Sequence, residues 1–365
     1  MLVEDHRILE LGSRTSHPLP TSNSVMDFGE SVLGPGLIDM HIHGGAGRDV
    51  MESDASALVA VETLLASHGV TSYFPTTVTA PLDKTLAALE RLADAIENSA
   101  TTKTARAQPH GIHIEDPFIS HARRGVHPPQ NLLEPTLAIF EQLWDAARGH
   151  IRVMTIAPEL NGAMEVIKEA ANRGVCVSMG HSDADLATAR AAVQAGARHA
   201  THTFNAMRPL AHRDPGLLTQ ILMDPGISAD IIADGIHVDP AVVQIFLRLK
   251  GPERAVLISD ATAATGMPPG KFRMGDFDFE VKDGKCLANG ILAGSTLTMD
   301  RAVRNVMKFA GWNLQDSLRA ATANPASATA LKDRGILKPG AAADFTVFTS
   351  SGEVSKTVIA GRVVQ

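Results

Sequence analysis

Cysteine, aromatic residues and positive charge are all scarce in this chain of 365 residues. There are two Cys, one Tyr, two Trp and twelve Phe. Cys176 and Cys286 form no CxxC pair, so the sequence carries no disulfide framework and suits a reducing compartment. So few rings cannot build a stacking platform for bases. Lys and Arg number 33 against 40 Asp and Glu, a formal net charge of -7, and no basic run stands out. A nucleic-acid surface needs clustered Lys and Arg and is therefore not expected, although a local Arg or His can still serve a small anion. No apolar run approaches the ~20 residues of a membrane helix, so no membrane partner is expected. The opening MLVEDHRILELG has acidic residues where a signal peptide carries a basic flank and a long apolar run, which points to the cytoplasm.

What the chain has is alternation. With 44% hydrophobic and 20% charged residues it can bury one large domain, or a large one and a small one. Eight β-rich runs occur in order: LIDMHIH (37–43), GVTSYFPT (69–76), PHGIHIE (109–115), IRVMTIAPE (151–159), GVCVSMGH (174–181), ARHATHTF (197–204), GISADIIAD (226–234) and AVLISDA (255–261). Between them lie amphipathic stretches such as DASALVAVETLLASHG, LDKTLAALERLADAIENS, PTLAIFEQLWDAARG and DADLATARAAVQAG. Their apolar residues recur at helical spacing, and each ends in Gly or Asn-Ser. The pattern predicts an α/β fold, a TIM-type (β/α)8 barrel over 37–332. Residues 1–36 and 333–365 read as a small β-domain built from both termini, with TSHPLPTSNS (15–24) a poor strand. A β-hairpin insertion is expected at about 270–295, turning at KDGK.

In such a barrel the chemistry sits at the C-terminal ends of the strands. His41 and His43 end the first strand, Glu115 the third, His181 the fifth, Asp260 the eighth, and His202 lies near the end of the sixth. Residues i and i+2 of a strand share a face, so the two imidazoles of MHIHG point together. Imidazole and carboxylate are the usual ligands of Zn²⁺ and similar ions, and a catalytic site keeps one position open for water. His6, His17, His68, His150 and His212 read as structural or surface residues. Glu159 suits a ligand and equally a cap or tether for the helix start at NGAMEVIKEA, and it is left out of the metal set. His199, three residues before His202, is expected to face the helices and pack there. The Met residues of NAMRPL and STLTMDRAV are read as core packing.

Taken together, PGLIDMHIHG, GIHIEDPFIS, MGHSDAD, ATHTFNAMRPL, IADGIHVD, LISDATAATGMPPG and LAGSTLTM resemble the N-acetylglucosamine-6-phosphate deacetylases of the amidohydrolase superfamily across almost the whole chain. The resemblance implies Glu115, His181 and His202 as main metal ligands, with His41 and His43 completing a second site, for one or two divalent ions. Zinc is the expected ion, with Fe, Mn or Co as alternatives. It implies Asp260 as acid/base, and Val126, His127, Asn205, Ala206, Arg213, His237 and Leu292, Ala293 and Gly294 as substrate contacts, Arg213 for the 6-phosphate and His127 beside the acetyl carbonyl. It also implies a homodimer whose neighbouring subunit helps at the phosphate. The expected reaction releases acetate from N-acetylglucosamine 6-phosphate in amino-sugar catabolism and cell-wall sugar recycling. The galactosamine epimer, another amidohydrolase reaction (cyclic amidase or deaminase) and an inactive scaffold are the alternatives. Strand four lacks the lysine that many two-metal relatives use. One departure stands out: Asp116 follows the ligand Glu115 where the family usually has Gly. A positive φ there would strain it, and a carboxylate beside the metal would alter metal affinity or compete for the water's proton.

Overall fold

The computed structural model describes residues 1–13, 24–52, 54–101 and 105–364. Of TSHPLPTSNS only Ser24 is among them, and His17 also lies outside the described residues. All eight expected strands form: β1 (Leu37–Ile42), β2 (Val70–Pro75), β3 (Ile112–Ile114), β4 (Ile151–Ile156), β5 (Cys176–Met179), β6 (His199–Ala200), β7 (Ala229–Ile232) and β8 (Ala255–Ile258). Pairing is parallel between β1 and β2, along β3-β4-β5-β6, and between β7 and β8. Main-chain hydrogen bonds continue across the gaps. Thr77 N–H donates to His113 O at 3.0 Å, Ser228 N–H to Arg198 O at 3.0 Å, and Asp260 N–H to His41 O at 3.0 Å.

Helices follow the strands where the amphipathic stretches predict them. Asp54, Thr136, Asp185 and Asp239 each cap a helix start by accepting a main-chain N–H, which satisfies amides that have no partner within the helix. The core between the two layers is aliphatic, with Phe74, Phe118, Phe140 and Phe246 fully buried. Each such side chain contributes roughly 1.5–3 kcal/mol of burial, so a chain poor in aromatics is held by its many Ile, Val, Leu and Ala.

The strands are shorter than their β-rich runs, and they stop at the functional residues. His181, His202 and Asp260 have φ of 46°, 29° and 49°, left-handed values at which a strand ladder cannot continue. Each residue therefore turns out of its strand at the C-terminal end.

Val32–Pro35 joins Phe345–Phe348, Val354–Ile359 and Arg362–Val363 in one antiparallel sheet, and Leu2–Glu4 pairs with Arg7–Glu10. The segment around 270–295 forms a four-stranded antiparallel sheet. Its central turn is Asp283 and Gly284, both at positive φ, the geometry of a two-residue hairpin loop matched to strand twist.

Candidate metal centre and active-site cavity

Five side chains from four strand ends converge. Glu115 Oε1 lies 3.0 Å from His202 Nε2, 3.2 Å from His181 Nε2 and 3.4 Å from His41 Nε2, while Oε2 lies 3.3 Å from His43 Nε2. Asp260 Oδ1 approaches His43 Nε2 at 3.2 Å and His41 Nε2 at 3.5 Å. All six are buried.

The arrangement fits a cation. His41 and His43 point their Nε2 atoms at each other across 3.2 Å, and His181 and His202 do so across 3.0 Å. Two neutral imidazoles gain nothing by facing lone pairs, but an ion between them uses both. The donors of His41, His43 and Glu115, and those of Glu115, His181 and His202, each lie within 4.8 Å of one another. Two of the rings are aimed from behind: Nδ1 of His43 donates to Thr76 O at 3.1 Å, and Nδ1 of His181 to Arg123 O at 2.9 Å. Each bond places the proton on Nδ1 and turns the Nε2 lone pair inward. His41 stacks edge-on against buried His113 at 4.6 Å, whose Nε2 bonds Thr155 Oγ1 at 2.8 Å.

Charge in the cluster is mutual. Burial pushes the Glu115 carboxyl up, but His41, His181 and His202 together hold it well below the usual range. Burial opposes the same effect at Asp260, which His41 and His43 bring down to about 2. Burial disfavours charge on His202, but Glu115 raises it to about 9. His127 has no carboxylate so close, and burial lowers it to about 3, with His181 adding to the effect.

A cavity of about 300 Å³ opens above this cluster. Val126, His127, Asn205, Ala206, His237, Leu292 and Gly294 line it beside Asp260. Ala293 instead is buried in the packing behind. Arg213 is exposed on the turn Ala211–Asp214 and does not reach the cavity, whose lining holds no Arg or Lys among the described residues. Gly294, at φ 59°, lets Ser295 N–H donate to Asp260 O at 2.7 Å; a Cβ there would lie 2.5 Å from Thr262 Cγ2.

Several site residues escaped the sequence reading. Thr79 Oγ1 bonds His127 Nδ1 at 2.7 Å, and Asp234 Oδ2 accepts from His237 Nδ1 at 2.7 Å. Met274 and Ile291 reach the cavity from the inserted sheet. A hydroxyl one strand away leaves no sequence pattern, but the Asp in IADGIHVD sits three residues before its His at the end of β7, a spacing that could have been read.

Besides Arg213 and Ala293, the expectations for His199 and Glu159 change, and the open question of Asp116 is narrowed. His199 does more than pack: its Nε2 lies 3.0 Å from Asp230 Oδ2 and its Nδ1 2.7 Å from Ser228 Oγ. Glu159 tethers not the following helix but the loop after β5, accepting from Ser182 Oγ and Asp183 N–H at 2.7 and 2.6 Å. Asp116 has no positive φ; its peptide to Pro117 is cis, and its Oδ1 accepts from Thr77 Oγ1 at 2.8 Å. Burial raises its carboxyl to about 7.

Known proteins share this sequence and shape. The amidohydrolase family model matches residues 32–364. The N-acetylglucosamine-6-phosphate deacetylase of Lysinibacillus sphaericus is 37% identical over 331 residues, covering 90% of this chain and 84% of that protein. The N-acetylgalactosamine-6-phosphate deacetylase of Escherichia coli O157:H7 is 36% identical over 365 residues, covering 99% and 95%. A mutant of the N-acetyl-D-glucosamine-6-phosphate deacetylase of Mycobacterium smegmatis, solved in complex with N-acetyl-D-glucosamine-6-phosphate, superposes with a TM-score of 0.91 at 33% identity, covering 99% and 93%.

Proposed function

The chain belongs to the amidohydrolase family, and from that premise we propose that it hydrolyses N-acetylglucosamine 6-phosphate to glucosamine 6-phosphate and acetate as a metal-dependent deacetylase. The observation that carries the reading is the convergence of Glu115, His181, His202, His41 and His43 beside Asp260 at the floor of one cavity. The eight strands are read as one closed barrel, supported by the main-chain bonds that link β2 to β3, β6 to β7 and β8 to β1. The sheet of Val32–Pro35 with the C-terminal strands is the core of the small β-domain.

Glu115, His181 and His202 would hold the first ion and His41 and His43 would complete a second position, with zinc the ion of choice for a nitrogen-rich donor set. A bound divalent ion supplies Lewis acidity, which acidifies a water and polarises the acyl carbonyl. Asp260, ionised at neutral pH, takes the proton of the attacking water and returns it to the departing amine. His127, neutral and buried, donates from Nε2 to the oxygen on which charge develops. For this its Nδ1 must accept from the Thr79 hydroxyl. His237, its Nδ1 committed to Asp234, offers the Nε2 lone pair to a sugar hydroxyl, and Asn205 orients the same ring. Leu292, Met274 and Ile291 cover the site and exclude water.

The 6-phosphate finds no Arg or Lys lining one subunit's cavity among the described residues. Exposed Arg213, on the rim turn, suits a bidentate grip on phosphate supplied across a homodimer. Such an enzyme works in the cytoplasm on a small phosphorylated sugar.

The galactosamine epimer is the second reading, favoured by the E. coli relative that shares 36% of its residues with this chain. Acetate release is compared for N-acetylglucosamine 6-phosphate, N-acetylgalactosamine 6-phosphate and unphosphorylated N-acetylglucosamine. Release confined to the first supports the proposal; release from the second alone reassigns the epimer; equal release from the unphosphorylated sugar contradicts the phosphate assignment.

A further inference from the structure

Beneath the ligand set lies a buried histidine–aspartate contact that the reaction does not use. His199 on β6 and Asp230 on β7 are both buried. His199 Nε2 faces Asp230 Oδ2 at 3.0 Å and its Nδ1 meets Ser228 Oγ at 2.7 Å. The other carboxylate oxygen, Asp230 Oδ1, accepts the main-chain N–H of His202 in a short hydrogen bond. The carbonyl of Asp230 accepts the next amide, Thr203 N–H, at 2.9 Å. One residue of β7 therefore takes two consecutive amides at the end of β6.

The backbone there needs such support. His202 sits at φ 29°, followed by Phe204 at 82° and Ala206 at 50°, a run that L side chains adopt only when their surroundings impose it. A second observation points the same way. His43 and His181 are aimed by carbonyls on their Nδ1 atoms, whereas the Nδ1 of His202, like that of His41, is buried without a hydrogen-bond partner among the described residues. The ring of His202 is not aimed from behind, so its direction is inherited from the main chain.

We propose that Asp230, braced by His199, is a positioning residue for the metal site: it fixes the turn at His202 and so directs Nε2 of that imidazole at Glu115 and His181. The inference rests on the reading of His202 as a ligand. Both carboxylate oxygens of Asp230 are already engaged, one by His199 and one by the amide, so it acts through the backbone and not on the ion. His199 keeps the carboxylate paired, since an unpaired buried charge would be costly.

The test uses purified zinc-loaded enzyme and follows zinc transfer to a chelator without substrate, alongside thermal unfolding of the zinc-free forms. Asp230→Ala is expected to release zinc about ten- to a hundredfold faster than the parent, the usual scale for residues that orient ligands. Asp230→Asn keeps an acceptor for the His202 amide but loses the charge, and should fall between the two while its zinc-free form unfolds near the parent's midpoint. If the alanine variant fails to fold, the asparagine variant decides: several-fold faster release supports the role, and release at the parent's rate overturns it. His202→Ala tests the underlying reading separately. If His202→Ala retains zinc as the parent does, the ligand assignment fails; if it loses zinc while both Asp230 variants hold it normally, only the positioning role fails.

Discussion

Asp260 Oδ1 lies 3.2 Å from His43 Nε2, at the point where the backbone after β8 turns left-handed. The contact ties the carboxylate to the ligand cluster, while its main-chain oxygen is held by Ser295 N–H at 2.7 Å. An ionised base is thereby fixed at the floor of the cavity. Asp260→Asn should retain bound metal and lower kcat by about 10²–10⁴-fold, the range for removal of a general acid–base group. Metal analysis and steady-state kinetics check this together, and an active, metal-loaded asparagine variant contradicts the assigned role.

His127 supplies the second chemical contact. His127→Leu should reduce kcat by about 10²–10³-fold with a smaller effect on KM, as loss of an oxyanion donor does. Thr79→Val, which removes the hydroxyl 2.7 Å from Nδ1, should give a smaller loss of the same kind, and Thr79→Ser should restore it. Kinetics of Thr79→Val indistinguishable from the parent would show that the hydroxyl does not set the tautomer.

These two hydrogen bonds mark what sequence reading reaches. The eight strands and the His, Glu and Asp side chains that converge at their ends were legible because apolar runs recur along the chain and polar residues follow them at the strand ends. Thr79 was not, since a threonine 48 positions away from its histidine carries no periodic signal. His199 was read as packing alone because alternation says nothing of its partners, Asp230 and Ser228, 31 and 29 positions further along the chain. The consequence of Asp116 was open in the sequence: its carboxylate turns to Thr77, a contact between segments far apart in the chain. Arg213 falls outside the cavity, because its position on an exposed turn is not something a motif match reveals.

Gly294 can be probed by one methyl group. Its φ of 59° and the 2.5 Å approach that a Cβ would make to Thr262 Cγ2 mean that Gly294→Ala must strain the segment or shift it. Stability should fall by roughly 1–2 kcal/mol, the cost of a left-handed L residue, and turnover should fall too because Asp260 shares the hydrogen bond next to it. Denaturant unfolding and kinetics measure both effects; an alanine variant unchanged in each would show that the segment is free to adapt.

Acid stability has a contributor away from the site. Burial raises the Asp300 carboxyl, but His68, whose Nδ1 lies 3.2 Å from Oδ1, together with Thr298 and Arg304 outweighs it and brings Asp300 to about 2. Its folded value is below its unfolded one, so its stabilisation is present above about pH 4 and is lost as pH falls towards 2. The contribution is roughly 2 kcal/mol. Asp300→Asn should lower stability at neutral pH and flatten the decline between about pH 4 and pH 2. Urea midpoints across that range test it, and parallel curves for the variant and the parent would remove Asp300 from the account.

The central claim, a hydrolase whose chemistry depends on an ion held by Glu115, His181 and His202, is tested most directly by titration. Chelator-stripped enzyme is given increasing zinc, and acetate release from N-acetylglucosamine 6-phosphate is measured at each step. Activity near zero without metal, rising to a plateau at one or two equivalents per chain, is the expected result, with Glu115→Gln failing to recover. Undiminished acetate release from fully stripped enzyme would contradict it.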